Sequence, residues 1–255
     1  MAESKTPLIA IVGPTASGKT SLAVAVCKAL GGEAVSCDSM QIYKGMDIAT
    51  AKPTQEEMQG IPHHLMDFLD PSESFSICDY QKLVRDKIEE FHNKEMIPII
   101  TGGSGLYIDS VLYDYRFTED ARSLEDEKKY DHLSNEELHD ILKNLNIEAA
   151  NKIHPNNRKR VLRAIELAES GISNEDRNQK HHKMYDFLLI FLNDEREVLY
   201  ERINNRVDEM INNGLLEEVK SLYPDKLSNQ AVKAIGYQEI YDYLDNKISL
   251  EDKKA

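Results

Sequence analysis

Hydrophobic residues alternate along this chain between short continuous runs and stretches at helical spacing. Leu8 to Val12 is an uninterrupted apolar run closed by Gly13-Pro14, which predicts a buried parallel strand. Lys19 to about Leu30 is apolar and helix-compatible and meets a stop signal at Gly31-Gly32. Ala34 to Cys37 predicts a second strand, ending at Asp38. Phe75, Ile77, Tyr80, Leu83, Val84, Ile88 and Phe91 recur near helical spacing and predict a helix over Ser76 to Asn93. Met96 to Ile100 predicts a third strand, running into TGGSG. Strand, helix, strand, helix, strand is the order of an α/β fold with a doubly wound parallel sheet.

The pattern breaks between Tyr113 and about Lys183. That segment is rich in Glu, Asp, Lys and Asn, and its one glycine is Gly171. Helices are expected over Asn135 to Leu145 and Pro155 to Ser170. We read it as a small helical insertion domain, residues 113–183, within a core domain made of residues 1–112 and 184–255. The apolar pattern returns at Phe187 to Leu192, and Asp194 is expected to cap a helix reaching about Asn212.

Composition narrows the class. The 255 residues are 41% apolar and 30% charged, the balance of a globular domain. No run approaches the ~20 apolar residues of a membrane span, so no membrane partner is expected. The N-terminal apolar stretch leads straight into Gly13, leaving no signal-peptide pattern. Cys27, Cys37 and Cys78 lack metal-ligand spacing, and His63-His64 has no ligand partner nearby, so a reduced, cytoplasmic protein is expected. The net charge of −14 argues against a general nucleic-acid coat protein. A local basic run nevertheless stands out: Arg158, Lys159, Arg160 and Arg163. It reads either as a solvated helix face or as a patch for phosphates.

The candidate chemistry begins with GPTASGKT: Gly13, Pro14, Thr15, Ala16, Ser17, Gly18, Lys19 and Thr20. Glycines let successive backbone N–H groups turn onto an anion, the helix N-terminus and Lys19 add positive charge, and Thr20 suits Mg²⁺. The pattern is a nucleotide-binding, ATP-binding signature of P-loop type, and here it lies between a strand and a helix. A phosphoryl-transfer enzyme also needs an acid at the end of a neighbouring strand to hold Mg²⁺. TGGSG has none. The strand-end carboxylate is Asp38, which reads either as a turn residue or as a group facing the phosphate loop. On the residues alone, a P-loop small-molecule kinase and a nucleotide-dependent switch or RNA-binding module remain as readings.

Further motifs narrow the choice. GPTASGKT, SCDSMQIYKGMDIATAKPT, IPHHLMDF, TGGSGLYI, HPNNRKRVLRAIE, RINNRVDEM and AIGYQE follow one another from about Ile9 to Glu239, and in this order they resemble the tRNA dimethylallyltransferases. The resemblance implies transfer of the dimethylallyl group of dimethylallyl diphosphate to N6 of the adenosine at tRNA position 37, next to the anticodon, with release of diphosphate. It implies Asp38 as general base and Ser104 as a hydroxyl donor to the bridging oxygen. Lys19, the Thr15–Thr20 amides, Arg206 and Mg²⁺ would hold the diphosphate. Asp38, Ser39, Met40, Gln41 and Ser104 would line the adenine side. Lys159, Arg160, Val161, Leu162 and Arg163 would contact the anticodon stem-loop of the tRNA, and a monomer is expected. Three departures from the family pattern are visible. Ala49 replaces the usual glycine of DIGTAKP, the insertion is shorter than is typical, and the chain ends at Lys254-Ala255, before the family's basic C-terminal segment.

Overall fold

The first apolar run is a strand, β1 (Pro7–Val12), and the helix-compatible stretch after the Gly-rich loop is α1 (Lys19–Leu30), which ends at Gly31. In this computed structural model residues 7–115, 129–169, 178–222, 228 and 231–245 are described. The chain divides into two compact units, Met1–Leu112 with Lys183–Ala255, and Tyr113–His182.

In the first unit the strands β2 (Ala34–Ser36), β3 (His63–His64), β4 (Ile99–Gly102) and β7 (Asp186–Phe191) join β1 in a five-stranded sheet of order β3-β2-β4-β1-β7. All four pairings are parallel. β4 is the shared partner, with Ile99 opposite both Ile9 of β1 and Ala34 of β2. The phosphate loop after β1, Asp38 after β2 and Gly103 after β4 therefore leave the sheet at one carboxyl edge. Ile11, Ala23, Cys27, Ala34 and Ile99 are fully buried together where α1 packs on the sheet.

Helices complete the unit: α2 (Gln55–Met58), α3 (Ile77–Asn93), α4 (Gly105–Leu112), α8 (Arg196–Asn212), α9 (Leu215–Ser221) and α10 (Tyr237–Leu244). α3 starts at a capping box in which Ser76 Oγ accepts from the Asp79 N–H while the Asp79 carboxylate accepts from the Ser76 N–H. Its buried residues Tyr80, Val84, Ile88 and Phe91 belong to the stripe that the spacing predicted.

In the second unit α5 (Asn135–Leu145), α6 (Ile147–Lys152) and α7 (Arg158–Glu169) close around Leu138, Leu142, Ala149, Val161 and Ile165. A two-stranded sheet pairs β5 (Tyr113–Tyr115) with β6 (Asn178–Lys183).

Three expectations shift. β4 begins three residues late and runs through Thr101 and Gly102, because these pair with Ile11 and Val12 and the ladder outweighs the weak strand preference of Gly102. The helix expected from Pro155 starts at Arg158, since Pro155 and Asn156 form a turn and the Asn157 side chain accepts from the Arg160 N–H; Ser170 and Gly171 lie outside the described residues. Asp194 does not cap α8. Glu195 holds the cap position without a side-chain bond, and Asp194 pairs with Arg202 at 2.9 Å.

Gly102 is where packing is least forgiving. A Cβ there would meet the Cys37 carbonyl oxygen at 2.0 Å, one residue before Asp38. Gly102→Ala is expected to cost about 1–3 kcal/mol through forced backbone displacement. Urea unfolding followed by far-UV circular dichroism (the chain has no tryptophan) checks this, and an unchanged midpoint would contradict it.

Candidate active site

A cavity of about 420 Å³ opens where the three strand ends converge. Its walls include Thr15–Ser21, Asp38, Gln41, Thr101–Gly103, Arg202 and Arg206. The phosphate loop forms one side. Gly18 adopts φ 85°, a left-handed conformation suited to glycine, and turns the chain directly into α1. No side chain caps α1, so the amides of its first turn remain available as anion donors. Ser17 Oγ is buried without a hydrogen-bond partner among the described residues, a hydroxyl suited to an anion held by the loop.

Lys19 Nζ donates to the Pro14 carbonyl at 2.5 Å, folding the lysine back over its own loop. Burial lowers the Lys19 pKa from its ordinary value; the Asp38 carboxylate opposes that shift and Arg206 reinforces it. One carboxylate and two cations are thus in electrostatic contact.

Asp38 performs a structural task as well. Its Oδ1 accepts from the Met40 N–H at 2.9 Å and more weakly from the Gln41 N–H at 3.4 Å, fixing the turn that follows β2. The same residue thus fixes the turn and lines the cavity beside the phosphate loop. Gln41 is held through its amide, whose Nε2 donates to the Thr50 and Ala51 carbonyls at 3.2 Å each. Arg206 Nη2 donates to the same Ala51 carbonyl at 3.3 Å. The loop carrying those carbonyls is tied down by Lys52, whose ammonium bridges Asp47 at 2.6 Å and Asp67 at 2.7 Å.

The other expected residues are placed differently. Gly13 and Pro14 are not on the cavity wall; a Cβ on Gly13 would strike the Leu192 carbonyl at 2.4 Å, so close packing requires glycine there. Ser39, Met40 and Ser104 are half-buried and do not line the cavity. Ser104 lies just before α4, and its carbonyl accepts from the Tyr107 and Ile108 amides. Ala49, in place of the family's usual glycine, puts its methyl 3.3 Å from the Cβ position of Gly236, so the side chain fits against a residue that has none.

Sequence reading missed Arg202, one turn before Arg206 on α8, which donates to the Ala16 carbonyl at 3.4 Å. The i, i+4 spacing of the two arginines in RINNR was the available sign. It also missed His63, which lines the cavity with a buried Nε2 that has no partner among the described residues; burial lowers its pKa.

In the second unit the basic run splits. Lys159 and Arg160 are exposed. Arg163 pairs with Glu166 at 2.7 Å. Arg158 donates to the Leu133 and Tyr130 carbonyls at 2.7 Å each and serves as an internal clamp. Val161, expected on a tRNA-contacting surface, is fully buried, and Leu162 packs against the same core. For Val161 that expectation is corrected: helical spacing turns its side chain inward between the basic residues, while Leu162 stays partly exposed.

The comparisons with known proteins agree with one another. A model of the family described as IPP transferase matches residues 41–255. A protein of Bacillus licheniformis named tRNA dimethylallyltransferase is 49% identical over 99% of this chain and 83% of its own length. The protein of that name in Bacillus subtilis is also 49% identical, with the same coverage. Among solved structures, a tRNA isopentenylpyrophosphate transferase of Staphylococcus epidermidis superposes with TM-score 0.70 at 44% identity, over 98% of this chain and 84% of that one. A eukaryotic dimethylallyltransferase acting on tRNA reaches TM-score 0.81 at 29% identity, over 98% and 65%.

The lowered pKa of Lys19 sets a pH dependence for anion binding. An anion on the loop favours the charged ammonium and raises that pKa, so binding takes up a proton on the alkaline side. Inorganic diphosphate affinity is expected to fall as pH rises through the lowered Lys19 value, and Lys19→Arg is expected to flatten that fall. Calorimetric titration across the alkaline range checks it; an identical slope in wild type and variant would contradict it.

Proposed function

The chain belongs to the IPP transferase family, the tRNA dimethylallyltransferases, and we propose that it moves a dimethylallyl group from dimethylallyl diphosphate to the adenine N6 of tRNA position 37, next to the anticodon. It is a prenyltransferase acting on tRNA, with a P-loop-type parallel sheet as its core. The observation that carries the finer reading is the pairing of Asp38 with the phosphate loop in one cavity, with Thr101-Gly102-Gly103, and no acid, at the end of β4. A kinase reading would place its Mg²⁺-holding acid at the end of β4, beside β1, and that end carries none.

The chemistry follows from the placement of charge. The N6 lone pair attacks the allylic C1 while the bond from C1 to the diphosphate oxygen breaks. Negative charge then grows on the leaving group, where the Thr15–Thr20 amides, Lys19 and Arg206 stabilise it. The guanidinium of Arg202 faces the same cavity. The proton of N6 passes to the Asp38 carboxylate, which the Met40 N–H holds toward the turn. Gln41, fixed by two carbonyls, orients the adenine edge, and the base leaves the anticodon stack to reach it. Ser104 would need to approach from beyond Gly103 to donate to the bridging oxygen.

The donor set is of the oxygen type that Mg²⁺ takes: the Thr20 hydroxyl with the carboxylate of Glu209 on the cavity wall. Bound with the diphosphate, the ion would supply further charge neutralisation of the leaving group. Lys159, Arg160 and Arg163 serve the tRNA backbone, as contacts to the anticodon stem-loop. Among the described residues no helix is long and apolar enough to cross a membrane, and a cytoplasmic monomer fits this reading.

Labelled dimethylallyl diphosphate with Mg²⁺ and unmodified tRNA is expected to yield labelled tRNA; phosphorylation of a metabolite from ATP with no label transfer would overturn the reading. Asp38→Ala should lower kcat by about 10²–10⁴-fold, the range of a general base, with diphosphate affinity nearly unchanged. Equal loss of both would assign Asp38 to the turn alone. Replacing Lys159 and Arg160 by alanine should weaken tRNA binding and reduce its salt slope by about 1.5, while leaving the KM for the allylic donor unmoved. An unaltered slope would remove the pair from the tRNA surface.

A further inference from the structure

We infer that Glu218, on α9 and outside the cavity wall, is a positioning residue for the reaction, acting through the turn at residues 47–51 on Gln41 and Arg206. The inference rests on the prenyl-transfer reading above. Its basis is a chain of hydrogen bonds that crosses about 170 residues of sequence.

The turn is a short stub closed by two backbone bonds. The Ala51 N–H donates to the Ile48 carbonyl and the Lys52 N–H to the Asp47 carbonyl, and among the described residues the N–H groups of Asp47, Ile48 and Ala49 find their acceptor in a side chain. One carboxylate takes three of them in succession. Glu218 Oε2 accepts from Asp47 N–H at 2.9 Å and Ile48 N–H at 2.7 Å, and Oε1 accepts from Ala49 N–H at 3.2 Å. The phenol of Tyr237, buried on α10, donates to Oε1 at 2.7 Å and fixes the carboxylate from behind. A charged acceptor serving several N–H donors makes strong bonds, and orients the dipole of the whole turn.

The opposite end of the stub faces the cavity. Its Thr50 and Ala51 carbonyls hold the Gln41 amide, and the Ala51 carbonyl also accepts from Arg206. Gln41 belongs to the adenine side and Arg206 to the diphosphate side. One rigid turn thus sets the separation of nucleophile and leaving group, a distance on which an in-line displacement depends steeply. The Ala49 methyl against Gly236 packs the same turn onto the start of α10 and leaves it little room to shift.

The balance of donors explains why a carboxylate suits this position. Glutamine at 218 would turn an amide N–H₂ toward N–H donors and could serve at most one side of the stub. Glu218→Gln should therefore loosen the turn while keeping side-chain volume. Tyr237→Phe should do so more mildly, since it removes one donor and leaves the three N–H bonds.

The test combines amide exchange and kinetics on the whole chain. Hydrogen exchange of the Asp47, Ile48 and Ala49 amides should quicken in Glu218→Gln and less in Tyr237→Phe, with the phosphate-loop amides unmoved. This arm needs no substrate, so it stands even where wild type fails to prenylate tRNA, a failure that would count against the functional reading instead. In single-turnover transfer, Glu218→Gln should lower the rate on the order of tenfold, with donor KM changed far less. In a Gln41→Ala background the same change should cost clearly less than in wild type, because the path through Gln41 is already cut and only the path through Arg206 remains. Unchanged exchange at Asp47–Ala49, or an equal loss of rate in both backgrounds, would overturn the inference, as would a deficit that disappears on correcting for folded protein.

Discussion

Everything at the carboxyl edge of this sheet depends on β4 being paired on both sides. Ile99 lies opposite Ile9 and opposite Ala34, so β1 and β2 are each held in register by a strand that comes some sixty residues after β2. Without that ladder the phosphate loop and Asp38 would belong to two strands with no fixed relation. With it, a loop built for anions and a carboxylate are held across a cavity, and Gly102 permits the close approach by presenting no side chain to Cys37.

That arrangement decides which chemistry the loop serves. A phosphate loop binds phosphorus oxygens whatever is attached to them, since amides, a helix end and an ammonium recognise charge and not carbon. What distinguishes a leaving group from a phosphoryl donor lies elsewhere in the site. Here the carboxylate sits after β2, near Lys19, and the end of β4 is glycine and hydroxyl. Family membership and nearly 50% identity with tRNA dimethylallyltransferases bring the same conclusion from an independent direction. Arg202 and Arg206 of α8 add positive charge to the cavity wall.

Much of this was legible in the sequence because the relevant physics is local. The bounds of α1 and of the helix at Asn135–Leu145 follow from spacing and stop or cap residues within a few positions. GPTASGKT carries its own geometry. Other features were hidden because they depend on partners far along the chain. Gly102 is a poor strand residue on its own and becomes strand by pairing with β1. Val161 sits inside a basic run and reads as surface until the helix is rotated against its neighbours. Nothing in the residues around Glu218 says that it will cap a turn at Asp47, and Arg202 was overlooked beside the arginine that the motif made conspicuous.

The claim on which the rest turns is that bond cleavage occurs at the allylic carbon, with the loop retaining the diphosphate. Dimethylallyl diphosphate carrying ¹⁸O at the oxygen between C1 and phosphorus, with ¹⁴C in the allyl group, distinguishes the possibilities in one reaction with tRNA. Carbon label in tRNA and all of the ¹⁸O in released inorganic diphosphate is the expected result. Release of ¹⁸O-labelled dimethylallyl alcohol or monophosphate, with phosphorus moved to another acceptor, would show that the loop serves phosphoryl transfer after all.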